Sequence, residues 1–164
     1  MINDLKLMPK TEAFHRYLKQ SSGVVLISIF VIGNLISSIV FALLSKKFGH
    51  HRLSDGFEQL NSPKVDFWIL ILIAPVFETI IFQYAIIETF RKRKSLGFAC
   101  VLSAIIFGLS HLYNFYYFLF AVCSGLSMAY LFSLRKSLWS ALFITITAHS
   151  LYNLCVYLLI NNNS

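Results

Sequence analysis

Five stretches of this sequence each run for about 20 residues with almost no charge, which is the length a helix needs to cross a bilayer. The hydrocarbon core is about 30 Å thick and a helix rises about 1.5 Å per residue. The windows cover Ser21 to Leu44, Phe67 to Phe90, Ser95 to Tyr113, Phe115 to Leu134 and Leu138 to Ile160. In lipid the backbone must satisfy its own hydrogen bonds, and a helix does so within one segment. The expectation is an all-α, polytopic integral membrane bundle of about five transmembrane helices, one membrane domain over residues 1–164, in the cell membrane. The composition, 57% apolar and 13% charged, excludes an ordinary soluble domain. The first window starts too late and runs too long for a cleavable signal peptide, so it is expected to remain as an anchor.

Lys and Arg fall unevenly between the windows, and that bias sets orientation. With the N-terminus inside, the cytoplasmic side collects Lys6, Lys10, Arg16, Lys19, Arg91, Lys92, Arg93, Lys94, Arg135 and Lys136, against Lys46, Lys47, Arg52 and Lys64 outside. The expectation is a cytoplasmic N-terminus and an external C-terminus. The net charge of +7 does not point to nucleic acid, because the basic residues flank membrane segments and would meet anionic lipid there. Cys100, Cys123 and Cys155 lack C-x-x-C spacing and read as small buried apolar residues. Glu88 precedes Arg91 and Lys92 by three and four residues and is expected to pair with them at the interface. His15, His50 and His51 fall in water-accessible segments, and the aromatics of "LYNFYYFLF" read as interface belt and packing.

An ionisable group at mid-membrane is costly, so those that occur face protein or a water-filled cavity and are functional candidates. Four polar residues qualify: Glu78, His111, His149 and Asn153. Measured along their helices, Glu78 lies about 16 Å below the outer end of its span, and His111, His149 and Asn153 lie about 24, 16 and 22 Å above the inner ends of theirs. All four therefore fall between mid-membrane and the outer boundary. His149 and Asn153 are spaced i, i+4 and share a helical face. An α-helical turn would put Gln83 about 140° around from Glu78, so the two need not share one pocket. A base, a water holder and two oxyanion donors make a hydrolase constellation: Glu78 to take a proton from water, His111 to position that water, His149 and Asn153 to meet a developing oxyanion. The metal alternative uses Glu78, His111 and His149 as zinc ligands; it ranks second, because no H-E-x-x-H spacing is present and Asn is a poor zinc ligand.

"FGLSH", Phe107 to His111, and "HSLYN", His149 to Asn153, together with "ETIIFQ" from Glu78, resemble the CPBP (CAAX protease and bacteriocin-processing, or Abi) family of intramembrane proteases, whose motifs are EExxxR, FxxxH and HxxxN. The resemblance covers Trp68 to Leu159, a core over 68–159, and includes Gly125 in the fourth window. It implies an endopeptidase acting on a peptide or membrane-protein substrate, with the leading Glu and the first His activating water and the His/Asn pair stabilising the oxyanion. It also implies a setting in bacteriocin maturation or self-immunity. The first motif departs from the pattern, with Thr79 in place of the second Glu and Gln83 in place of the Arg. Losing both members of an opposite-charge couple leaves no orphan charge. The alternative is a catalytically inactive relative serving as membrane scaffold or immunity protein.

Overall fold

The structure, a computed structural model, describes residues 10–48 and 67–161. The N-terminal Lys6 and most of the loop after the first span, with His50, His51, Arg52, Asp55, Glu58, Lys64 and Asp66, lie outside the described residues. The described residues form six helices and no strand: α1 (Lys10–Gln20), α2 (Gly23–Lys47), α3 (Ile69–Phe90), α4 (Leu96–Leu109), α5 (Phe115–Ser133) and α6 (Leu138–Asn161). Side-chain oxygens set three of the starts. Ser22, Ser95 and Asn114 accept from the backbone N–H of Val25, Phe98 and Tyr117 at 3.4, 3.1 and 2.8 Å, filling donors that the helix itself leaves open.

Four of the five expected spans, α2, α3, α5 and α6, are long and apolar enough to cross a membrane. The third is corrected. It was expected to reach Tyr113, but α4 ends at Leu109 after 14 residues, about 21 Å of helix against a hydrocarbon core of about 30 Å. Polar side chains end it. The Ser110 hydroxyl donates to the Phe107 carbonyl at 2.7 Å, and the N–H of His111 turns back to the Gly108 carbonyl at 2.9 Å.

α1 was expected only as a basic cytoplasmic segment. Phe14, Tyr17 and Leu18 gather on one side of it at i, i+3, i+4 spacing, the pattern of an interfacial helix. Leu18 is buried while Phe14 and Tyr17 are exposed. Arg135 holds its end, donating to the carbonyls of Ser21 at 2.6 Å and Lys19 at 3.4 Å, where a cation also favours the helix dipole.

The core is built around α5, whose Met128 and Ala129 are fully enclosed. Membrane helices gain little from hydrophobicity against lipid, so small residues that admit close approach decide which of them pack. At Gly125 an added Cβ would stand 3.0 Å from the Phe107 ring and 3.1 Å from the Cα of Ala104, so α5 lies directly on α4. Asn34 ties α2 to α5: buried in the bundle, its amide donates to Ser127 Oγ at 3.1 Å and to the Phe30 carbonyl at 3.0 Å. Glu88 pairs with Arg91 at 2.9 Å, as its spacing implied. Of the cysteines, Cys100 is buried and Cys155 half-buried; Cys123, expected inside, is exposed on α5.

α3 is irregular where the site lies. Ile69–Ile73 and Thr79–Ala85 are π-helical, with α-helical turns at Ala74–Glu78 and Ile86–Phe90 between and after them. Pro75 has no N–H and its ring crowds the preceding turn, which loosens the ladder around it. Two carbonyls of α3 accept side-chain donors: Ser103 donates to Phe82 O at 2.8 Å and Asn153 to Leu70 O at 3.0 Å. α6 runs antiparallel to α3, since Tyr157 meets Phe67, Asn153 meets Leu70 and His149 meets Glu78.

Candidate active site

Glu78, His111, His149 and Asn153 converge on one cavity of about 100 Å³, although they come from three different helical segments. Glu78 closes the short α-helical turn between the two π-helical stretches. His111 stands in the turn beyond α4, and His149 and Asn153 stack on one face of α6. The two oxygens of Glu78 face different imidazoles: Oε1 lies 3.9 Å from His111 Nε2, and Oε2 lies 3.6 Å from His149 Nε2. Both gaps are too long for a direct hydrogen bond and suit groups that share a water molecule. The cavity is small, with room for a few waters at about 30 Å³ each.

The FxxxH spacing has a structural reason. His111 Nδ1 sits 2.9 Å from the carbonyl of Phe107, one turn earlier, and its ring packs on the Phe107 ring at 4.5 Å between centroids. A carbonyl only accepts, so Nδ1 carries the proton. The Ser110 hydroxyl, which gives its own hydrogen to the same carbonyl, stands 2.9 Å from Nδ1 and accepts from it as well. The neutral ring therefore turns the lone pair of Nε2 toward Glu78. Tyr117 also lies against His111, its ring nearly parallel at 6.2 Å between centroids and 29°.

Asn153 is partly committed. One hydrogen of its amide goes to the Leu70 carbonyl at 3.0 Å, which fixes the side chain against α3. The second hydrogen of that nitrogen remains for the cavity that Asn153 lines. Among the described residues, no three His, Cys, Asp or Glu side chains are grouped so as to hold a metal ion, and the two imidazoles face opposite oxygens of one carboxylate.

Sequence reasoning missed the aromatic wall. Tyr113, Tyr117, Phe120 and Tyr152 line the cavity with Ser124, whereas the aromatic run had been read as belt and packing. A signal existed for Tyr152, which lies between the two motif residues on α6 and three positions after His149. Thr79 and Gln83, the departures from the first motif, do not line the cavity; both are fully buried behind it. Glu78 and Gln83 do not share the cavity, as their spacing allowed, although the stretch Thr79–Ala85 is π-helical instead of the α-helix on which the expected offset was based.

The family model described as type II CAAX prenyl endopeptidase Rce1-like matches residues 60–155, more than half of the chain, a range that includes Glu78, His111, His149 and Asn153. No curated protein and no solved structure matches the chain.

Proposed function

Because the chain belongs to the Rce1-like family of type II CAAX prenyl endopeptidases, we propose that it is a membrane-embedded peptidase in which Glu78 activates a water molecule against a substrate carbonyl. The observation that carries this reading is the placement of one carboxylate between two imidazole nitrogens, at 3.9 and 3.6 Å, in a cavity enclosed by membrane helices. Glu78 takes a proton from the water while the lone pair of His111 Nε2 accepts its other hydrogen and orients it. The resulting hydroxide adds to the carbonyl carbon. Negative charge then grows on the carbonyl oxygen, where Nε2–H of His149 and the free amide hydrogen of Asn153 are the donors. As the tetrahedral intermediate collapses, the proton held by Glu78 passes to the leaving amine and the C–N bond breaks.

The substrate class is a peptide or membrane protein whose scissile bond reaches the cavity from the bilayer. The family resemblance suggests bacteriocin maturation or self-immunity as the setting. A second reading, a non-catalytic scaffold or immunity protein, draws on Thr79 and Gln83, which remove the charged couple of the first motif.

The full chain in lipid vesicles, given an internally quenched peptide ending in a prenylated cysteine and three further residues, is the direct test. Cleavage is expected, and it should persist in a strong zinc chelator because no step passes through a metal. Loss of cleavage on chelation, restored by zinc, would overturn the metal-free mechanism. No cleavage of this peptide by folded protein would favour the scaffold reading.

A further inference from the structure

The face of α5 next to the catalytic cavity lines a second space, which hydrolysis as described does not use. This groove of about 390 Å³ runs between α2, from Leu26 to Ser37, and α5, from Leu134 back to Cys123. Each stretch is about 16 Å of helix, close to half of a hydrocarbon core about 30 Å thick. The groove therefore has the depth of one leaflet. The buried amide of Asn34, bonded to Ser127 at 3.1 Å, closes its floor. At Gly33 an added Cβ would meet nothing within 4 Å, and Ile29, Cys123 and Tyr130 on the walls are exposed, so the groove opens sideways toward lipid.

One end of the groove is roofed and basic. α1 contributes Phe14 and Leu18 to the groove, and Arg135, next to Leu134, binds the end of α1 through the carbonyls of Lys19 and Ser21. The neighbouring face of α1 carries Thr11, Glu12, His15, Arg16 and Lys19 around a shallow hollow. His15 joins the two spaces, its Nδ1 lying 2.6 Å from the Tyr130 hydroxyl. Arg16 and Lys19 outweigh Glu12 there, and the carbonyls bonded to Arg135 leave its charge uncompensated. An apolar slot of leaflet depth that ends in a cationic hollow is complementary to an anionic amphiphile. A partner's transmembrane helix suits it poorly, because a rod about 10 Å across that continues past the interface would run into α1.

We propose that this groove holds one acyl chain of an anionic phospholipid, with the phosphate seated on Arg16 and Lys19 in the hollow on α1. Thr11 adds a hydroxyl beside those cations, and Glu12 accepts from a headgroup hydroxyl, which phosphatidylglycerol has and phosphatidylcholine lacks. Basic side chains at the membrane surface attract anionic headgroups, and a slot for the tail converts that general attraction into one retained molecule. The lipid fastens α1 to α2 and α5. Since α5 also presents Tyr117, Phe120 and Ser124 to the catalytic cavity, the same molecule steadies one wall of the active site.

Native mass spectrometry of the full chain, released from nanodiscs of mixed phosphatidylglycerol and phosphatidylcholine, reads the occupant directly. One phosphatidylglycerol per chain should survive activation that strips phosphatidylcholine, and adding phosphatidylglycerol should raise the melting temperature in detergent. Arg16→Gln combined with Lys19→Gln should weaken retention about fivefold for each cation removed. Gly33→Leu, which fills the open slot, should abolish it. Lys92→Gln combined with Lys94→Gln removes the same charge from residues that do not line the groove or the hollow, and should keep the lipid. Equal retention of the two lipids by the unmodified chain means annular lipid only and overturns the proposal even if no variant folds. So does a folded Gly33→Leu chain that keeps phosphatidylglycerol, or an equal loss in the Lys92 and Lys94 control. A second chain bound in place of lipid, or phosphatidylglycerol displaced by the prenylated peptide, would overturn it by giving the groove to another occupant. None of these readouts needs cleavage, so failure of the hydrolytic reading leaves the lipid site standing.

Discussion

Glu78→Gln is expected to lower peptide cleavage by about 10²–10⁴-fold, the range for removing a positioned general base, while the protein remains folded. The carboxamide has the shape of the carboxylate but cannot take a proton from water. Nothing in the packing depends on the charge. The nearest partners of Glu78 are His149 Nε2 at 3.6 Å and His111 Nε2 at 3.9 Å, neither a direct hydrogen bond. Neutralising a carboxylate within the membrane removes an unfavourable burial, so thermal stability should hold or rise. Initial cleavage rates and melting in detergent, measured on the same preparation, check both halves. A folded Gln variant that cleaves at the parental rate rules out Glu78 as the base.

Gly125→Leu is expected to cost at least about 1–3 kcal/mol of stability, the usual penalty for overpacking, and to remove activity with it. Even a Cβ at this position meets the Phe107 ring at 3.0 Å and the α4 backbone at 3.1 Å, and a backbone cannot yield as a flexible side chain does. Parting α4 from α5 also moves the Phe107 carbonyl that holds His111, so the site should fail together with the packing. Gly33→Ala is the control, since nothing lies within 4 Å of the added Cβ there. It should leave melting and cleavage unchanged or slightly raise stability, alanine being the better helix former. Equal stability of the Gly125→Leu chain would mean that α4 and α5 are not pressed together at this point.

The spans were legible because hydropathy is summed over about 20 residues and survives errors at the ends. Glu78, His111, His149 and Asn153 stood out for a related reason: polar side chains in such windows need an explanation. What hydropathy cannot see is where the hydrogen-bond ladder stops. Ser110 and His111 end α4 by competing for the Phe107 carbonyl, a local event inside a window that remains apolar beyond it. The π-helical stretches of α3 were invisible because no sequence period separates i→i+5 from i→i+4 bonding over seven residues. α1 fell below the length at which hydropathy marks a span, and only the spacing of Phe14, Tyr17 and Leu18 could have revealed it. Tyr113 and Tyr117 fit an interfacial belt and a cavity wall equally well, since a phenol has an apolar body and a polar tip.

The abbreviated α4 bears on the lipid itself. A helix of about 21 Å cannot match a hydrocarbon slab of about 30 Å, and bilayers relieve such mismatch by thinning beside the short element. The headgroup region would then dip toward the turn that carries His111, and solvent would reach the carboxylate without a channel through the bundle. Turnover in vesicles of graded acyl length should decline as the lipid thickens, and a rate indifferent to thickness would assign water entry to another route.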